Sequence, residues 1–114
     1  MQRRSAVRDV RSGELISIPY TVELNDIAIY AVQHHRSSEV LDRTKAQFDT
    51  LYKEGSESPR VMAISTHPYL TGAAHRITSF DQIFDYLKSF EDVVFVTAGE
   101  VLDWYRHATS TQSP

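Results

Sequence analysis

Apolar and polar positions along this chain fall into short blocks of two kinds. Glu14 to Thr21 reads Glu-Leu-Ile-Ser-Ile-Pro-Tyr-Thr, a compact run closed by Pro19, and predicts a strand of about five residues. Val22 to Asp26 then reads as a loop, since Asn25 and Asp26 make local turn bonds. Ile27 to Arg36 fits neither the helix nor the strand period. From Ser37 the spacing changes: Leu41, Thr44, Phe48, Leu51 and Tyr52 recur at intervals of three and four. That predicts a helix with one buried stripe, opened by Ser37 or Ser38 as N-cap and stopped at Gly55. Its charged residues, Asp42, Arg43, Lys45, Asp49, Lys53 and Glu54, form the solvated face. Val61 to Thr66 is a second strand-like run, ended by His67 and Pro68, and Tyr69 to Arg76 is a loop turning at Gly72. A helix follows from Thr78, with Ser79 and Gln82 at capping-box spacing, Phe80, Ile83, Phe84 and Leu87 on its apolar face, and Phe90 packing at its exit. Val93 to Thr97 is continuously apolar, as in a strand buried on both faces. Thr97 or Gly99 starts a last helix bearing Val101, Leu102, Trp104 and Tyr105.

Strand and helix thus alternate three times. The expected fold class is α/β, with repeated βα units, right-handed crossovers and a parallel sheet. The expected organisation is a flexible basic N-terminus over 1–13, an α/β domain over 14–108 and a disordered tail over 109–114. The first segment carries Arg3, Arg4, Arg8 and Arg11, so a transit peptide is the alternative reading there. So small a sheet leaves its edges open, which points to part of a larger structure or to a chain that needs a partner.

At 114 residues the chain has room for one domain of ordinary size. A net charge of −3 gives no support to general nucleic-acid binding. With no cysteine, disulfides and thiolate metal sites are excluded, which fits a reducing compartment. No apolar run approaches the roughly 20 residues of a membrane span, and no secretory apolar region follows Met1. The expected location is cytoplasmic, with neither membrane nor nucleic acid as partner.

The candidate chemistry lies at the ends of the predicted strands. His67 stands at the tip of the Val61–Thr66 run, and Asp26 just beyond the Glu14–Thr21 strand. In parallel α/β folds the carboxyl ends of strands are where reacting groups collect. The plain alternatives are a hydrogen-bonded strand-end histidine and an aspartate that only caps the next segment. His34 and His35 are adjacent and point apart on either kind of element, so they are read as exposed loop residues rather than metal ligands.

Several stretches taken together carry a resemblance. They are Ile18-Pro19-Tyr20-Thr21 with Asn25-Asp26; Phe48-Asp49, Leu51-Tyr52 and Glu54-Gly55; Pro59-Arg60-Val61-Met62; His67-Pro68-x-Leu70-x-Gly72 with Arg76; and Val96-Thr97-Ala98, Glu100-Val101 and Trp104-Tyr105. In this order and spacing the chain resembles the C-terminal part of polysaccharide deacetylases of the NodB-homology type. The branch that includes metal-independent allantoinase is the most similar. The resemblance implies part of a distorted (β/α) barrel and hydrolysis of non-peptide C–N bonds, as in N-acetyl amino sugars or cyclic amides. It implies His67 as the acid that protonates the leaving amine and Asp26 as an acidic group orienting the site. Tyr20, Asn25, Tyr69 and Arg76 would lie toward the substrate. The family's early motifs have no counterpart: the sequence holds no Asp-Asp pair, no His-x-x-x-His and no arginine directly before a proline, and Ala73 and Ala74 follow Gly72 where an arginine is usual. The expectation is therefore a C-terminal hydrolase fragment, inactive alone, with no cofactor evident because the family's metal ligands are missing. The expected partner is a complementary N-terminal barrel segment or a second copy of the chain. A non-catalytic α/β module that binds a protein is the alternative.

Overall fold

The computed structural model describes residues 6–9, 14–18, 20 and 22–112. They divide between two compact units, one built on Tyr20–Glu91 and the other on Gln2–Pro19 with Asp92–Pro114.

The first unit carries the core. A π-helix spans Ile27–Val32, and the helices α1, Glu39–Glu54, α2, Pro68–Thr71, and α3, Ile77–Lys88, follow it. In α1 the expected stripe is buried at Leu41, Thr44 and Phe48, joined by Val40, while Tyr52 stands at its exposed margin. The Thr44 hydroxyl returns a hydrogen bond to the Val40 carbonyl, 2.6 Å away, which is how a polar residue occupies an apolar stripe. In α3, Ile83 and Leu87 are buried and α1 packs against them. Phe90 closes the far end, with ring centroids 4.9 Å from Phe48, 5.1 Å from Tyr52 and 5.0 Å from Tyr86. Each side chain removed from water in this way contributes roughly 1.5–3 kcal/mol.

Helix boundaries differ from the expected ones where serine was read as a cap. Ser38 occupies the N-cap position of α1 but has helical dihedrals and makes no side-chain cap bond. Likewise α3 begins a turn earlier than the Ser79–Gln82 spacing suggests, with Arg76 at its N-cap. In both places carbonyls of the preceding turn accept from the first helical N–H, Arg36 O from Glu39 N–H and Ala73 O from Ile77 N–H, so the serine hydroxyls are not needed. The ambiguous Ile27–Arg36 stretch is the π-helix and its exit. Gln33 N–H reaches Ala28 O, five residues back, and the widened turn buries the adjacent Ile29 and Tyr30 together. His34 sits at φ 58°, and His34 and His35 are exposed loop residues.

Of the expected parallel sheet the described residues show one isolated parallel bridge, beside one antiparallel pair. The strands β1, Ala6–Asp9, and β2, Glu14–Ser17, pair with Val7 opposite Ile16 and Arg8 opposite Leu15. The parallel bridge joins Asn25 to Ser65. Val61–Thr66 forms no further ladder, and neither does Val93–Thr97, where Val94 is 78%, Phe95 52% and Val96 49% exposed. Both sequences are of the kind that parallel strands use. A ladder, however, needs a neighbour paired over several residues, and among the described residues the pairing of Val61–Thr66 stops at the single bridge at Ser65.

The ends also differ from expectation. Ala6–Asp9 is a paired strand rather than frayed chain, while residues 1–5, 10–13, 19, 21 and 113–114 lie outside the described residues. Helix α4, Ala98–Gln112, runs into the segment expected to be a tail. Thr109 continues it by donating its hydroxyl to the Tyr105 carbonyl at 2.9 Å. Thr97 starts it as half of a capping box: its hydroxyl accepts from Glu100 N–H at 3.2 Å, and its own N–H donates to Glu100 Oε1 at 2.9 Å.

Candidate active site

The single parallel bridge determines where the chemistry can lie. Ser65 N–H donates to Leu24 O at 2.8 Å and Asp26 N–H to Ser65 O at 3.1 Å, so two extended segments run side by side in the same direction. Just beyond the bridge each meets a helix. Asp26 enters the π-helix, and His67, extended at φ −125° and ψ 131°, is the N-cap of α2 with Pro68 following. Proline suits the first helical position, where its missing N–H is not required. The two residues singled out separately in the sequence are thereby brought together across 41 positions.

Asp26 is completely buried and binds α2 through three contacts. Oδ1 lies 2.8 Å from His67 Nδ1; Oδ2 accepts from His67 backbone N–H at 2.6 Å and from the Thr71 hydroxyl at 2.7 Å. Burial pushes the Asp26 carboxyl up. The bonds from the His67 ring, the Thr71 hydroxyl and the His67 N–H outweigh it and hold the group below its ordinary 3.8. With the carboxylate ionised, His67 must carry a proton on Nδ1. Nε2 has no hydrogen-bond partner among the described residues, and the ring is 38% exposed, so Nε2 is the nitrogen left to exchange protons.

The other expected site residues are spread differently. Tyr69 is 70% exposed, its ring in edge contact with His67 at 6.0 Å, so it borders the reachable side of the imidazole. Asn25 is next to the pair in sequence, but its Oδ1 accepts from Ile27 N–H at 2.9 Å and starts the π-helix. Arg76 lies with its guanidinium carbon 4.4 Å from the centre of the Tyr30 ring, donates Nη1 to the Leu70 carbonyl at 3.4 Å, and has its Nε buried without a partner. Tyr30 in turn donates to the Ser37 carbonyl at 2.8 Å, and burial pushes its phenol up against the opposing Arg76 charge. Arg76 thus ties α2 to the π-helix. Tyr20 is exposed, and among the described residues no hydrogen bond or ring contact joins it to the pair.

Thr71 escaped sequence reading. It stands four residues after His67, the helical spacing that faces it toward the same partner, and a threonine at that offset was the available signal. Gly72 matters through close approach: a Cβ there would meet the Pro68 carbonyl oxygen at 2.5 Å, and the glycine lets the chain leave α2 directly behind the pair.

Both Asp26 oxygens are already engaged, and among the described residues no group of three or more His, Cys, Asp or Glu could hold an ion. Nor is any helix of those residues long and apolar enough to cross a membrane.

No protein-family profile matches the chain. A Schizosaccharomyces pombe protein that carries the name of a polysaccharide deacetylase is 33% identical over 90 residues, 76% of this chain and 28% of that protein. Among solved structures, a Pseudomonas aeruginosa PAO1 protein named for polysaccharide deacetylase superposes with a TM-score of 0.79 at 26% identity, over 92% of this chain and 36% of its own. The allantoinase Puue gives 0.78 at 26% identity, over 96% and 36%. The chain is similar to a part of a polysaccharide deacetylase and of an allantoinase, and shares the fold of that part. It spans about a third or less of the length of the relatives it matches.

Proposed function

We propose that this chain is the C-terminal, proton-donating portion of a hydrolase for non-peptide C–N bonds, acting on an N-acetylated sugar or a cyclic amide, and that it is inactive alone. The observation that carries this reading is the pair Asp26–His67, with Nδ1 held by a buried carboxylate and Nε2 turned to the accessible side. Such an imidazole donates from Nε2 once protonated, while the carboxylate stabilises the cation it becomes. In the reaction, a base from a complementary segment takes a proton from water as the water oxygen bonds to the amide carbon. The tetrahedral adduct then breaks its C–N bond, and His67 transfers its Nε2 proton to the leaving nitrogen. Tyr69, beside His67, would border the substrate there. The missing base would come from a complementary barrel segment that also supplies neighbours for Val61–Thr66 and Val93–Thr97, or from a second copy of the chain.

The test supplies in trans the portion of the allantoinase relative that this chain does not match. Amide hydrolysis is expected only from the combined polypeptides, and is expected to fall to background with His67→Ala. Turnover by the isolated chain that His67→Ala abolishes would overturn its inactivity. Turnover by the assembly that survives His67→Ala would overturn the assignment of the acid.

The exposed run Val94-Phe95-Val96 favours a second reading, a non-catalytic module that binds a protein. Partner binding that persists in the His67→Ala, Asp26→Ala double variant supports that reading over the first.

A further inference from the structure

We infer that Thr71 is a positioning residue for the proton donor: its hydroxyl holds the Asp26 carboxylate in the rotation that keeps an oxygen aligned on His67 Nδ1, and so keeps Nε2 as the nitrogen that exchanges protons. The inference rests on the reading of His67 as the leaving-group acid. A carboxylate buried at a segment junction can rotate about its Cβ–Cγ bond, and its two oxygens are equivalent until something distinguishes them. Here two donors converge on Oδ2, the His67 backbone N–H at 2.6 Å and the Thr71 hydroxyl at 2.7 Å, which leaves Oδ1 for His67 Nδ1 at 2.8 Å. Thr71 is itself 2% exposed, and its own N–H donates to the His67 carbonyl at 3.0 Å, so the hydroxyl is rigidly placed on the turn that begins at His67. With the backbone N–H as its only other donor, the carboxylate can turn until neither oxygen is aligned on Nδ1; the second donor removes that freedom. The titratable groups facing Asp26 are His67 from α2 and Tyr30 from the π-helix, and neither holds Oδ2 by its side chain.

The experiment is nitrogen-15 NMR of the His67 ring in the full chain, together with carbon-13 titration of the Asp26 carboxyl. It compares the unaltered protein with Thr71→Val, nearly isosteric but without the donor, and Thr71→Ser, which keeps it. The unaltered protein and the Ser variant are expected to show a single neutral tautomer with the proton on Nδ1. The Val variant is expected to show a mixture with the Nε2–H form and an Asp26 midpoint moved upward. The folded state of each is checked by amide exchange; should the Val variant fail to fold, Thr71→Ala is read against Thr71→Ser in the same way. Ring and carboxyl signals that are the same in the folded variants with and without the hydroxyl overturn the proposal and leave Thr71 a packing residue. In the assembly complemented in trans, the Val variant is expected to lose kcat with KM unchanged. Loss of the tautomer preference with turnover unaffected by His67→Ala would overturn the role of His67 while sustaining the contact; the reverse pattern would overturn Thr71 alone.

Discussion

Asp26 organises its surroundings through a charge that is buried and fully hydrogen-bonded, so its loss has effects in two places. In Asp26→Asn the amide can present an oxygen to only one side. If it keeps the His67 N–H and Thr71 bonds, its NH2 faces His67 Nδ1 and the ring proton must move to Nε2. We expect that tautomer switch in the imidazole NMR spectrum, with destabilisation of roughly 1–3 kcal/mol from donors left poorly matched, read by denaturant unfolding. Acid follows the same residue. The carboxyl is held below its ordinary 3.8, so Asp26 contributes stability that is fully present above 3.8 and is lost as pH falls from there through its folded-state value. Unfolding midpoints across about pH 2 to 6 are expected to fall less steeply at the acid end in Asp26→Asn than in the unaltered protein.

At the scale of elements, the helices were legible because their burial repeats locally. The Leu41-Thr44-Phe48 stripe needs only its own spacing to declare itself, and so does the Ile83-Leu87 stripe that α1 covers. Truncation at that contact, Ile83→Ala, is expected to cost about 2–5 kcal/mol, measured by amide exchange of the first unit. The start of α4 was legible only as Thr97 or Gly99, and the structure settles it by the capping box of Thr97 with Glu100; Thr97→Ala is expected to cost about 1 kcal/mol, seen as faster exchange of the Glu100 amide. The π-helix was not legible, because an i→i+5 turn buries Ile29 and Tyr30 side by side and matches no common period. The strands were legible only as candidates, for the opposite reason: apolar β-branched runs mark a capacity to pair, while pairing itself depends on neighbours remote in sequence. The candidate site was half legible. His67 and Asp26 were each visible at the end of an apolar run, but the contact between them, and Thr71 beneath it, exist only through the Asn25–Ser65 bridge.

For the whole molecule, the division into two units governs what a stability measurement reports. Trp104, the single tryptophan, belongs to the unit of Asp92–Pro114, whereas the candidate site belongs to Tyr20–Glu91. Fluorescence reports on the surroundings of Trp104 and amide exchange on the site, and Asp26→Asn is expected to move the second. The run Val93-Val94-Phe95-Val96 bears on handling of the protein itself. Four residues of high β propensity, without charge or proline, are flanked by Asp92 and Thr97, and three of them are at least half open to water or nearly so. With Thr97 and Ala98 the uncharged, proline-free stretch reaches six residues, the length that favours cross-β stacking between identical chains. Concentrated solutions should accumulate thioflavin-positive fibrils after a lag, and a lysine at position 94 should lengthen that lag by placing like charges in register along the fibril.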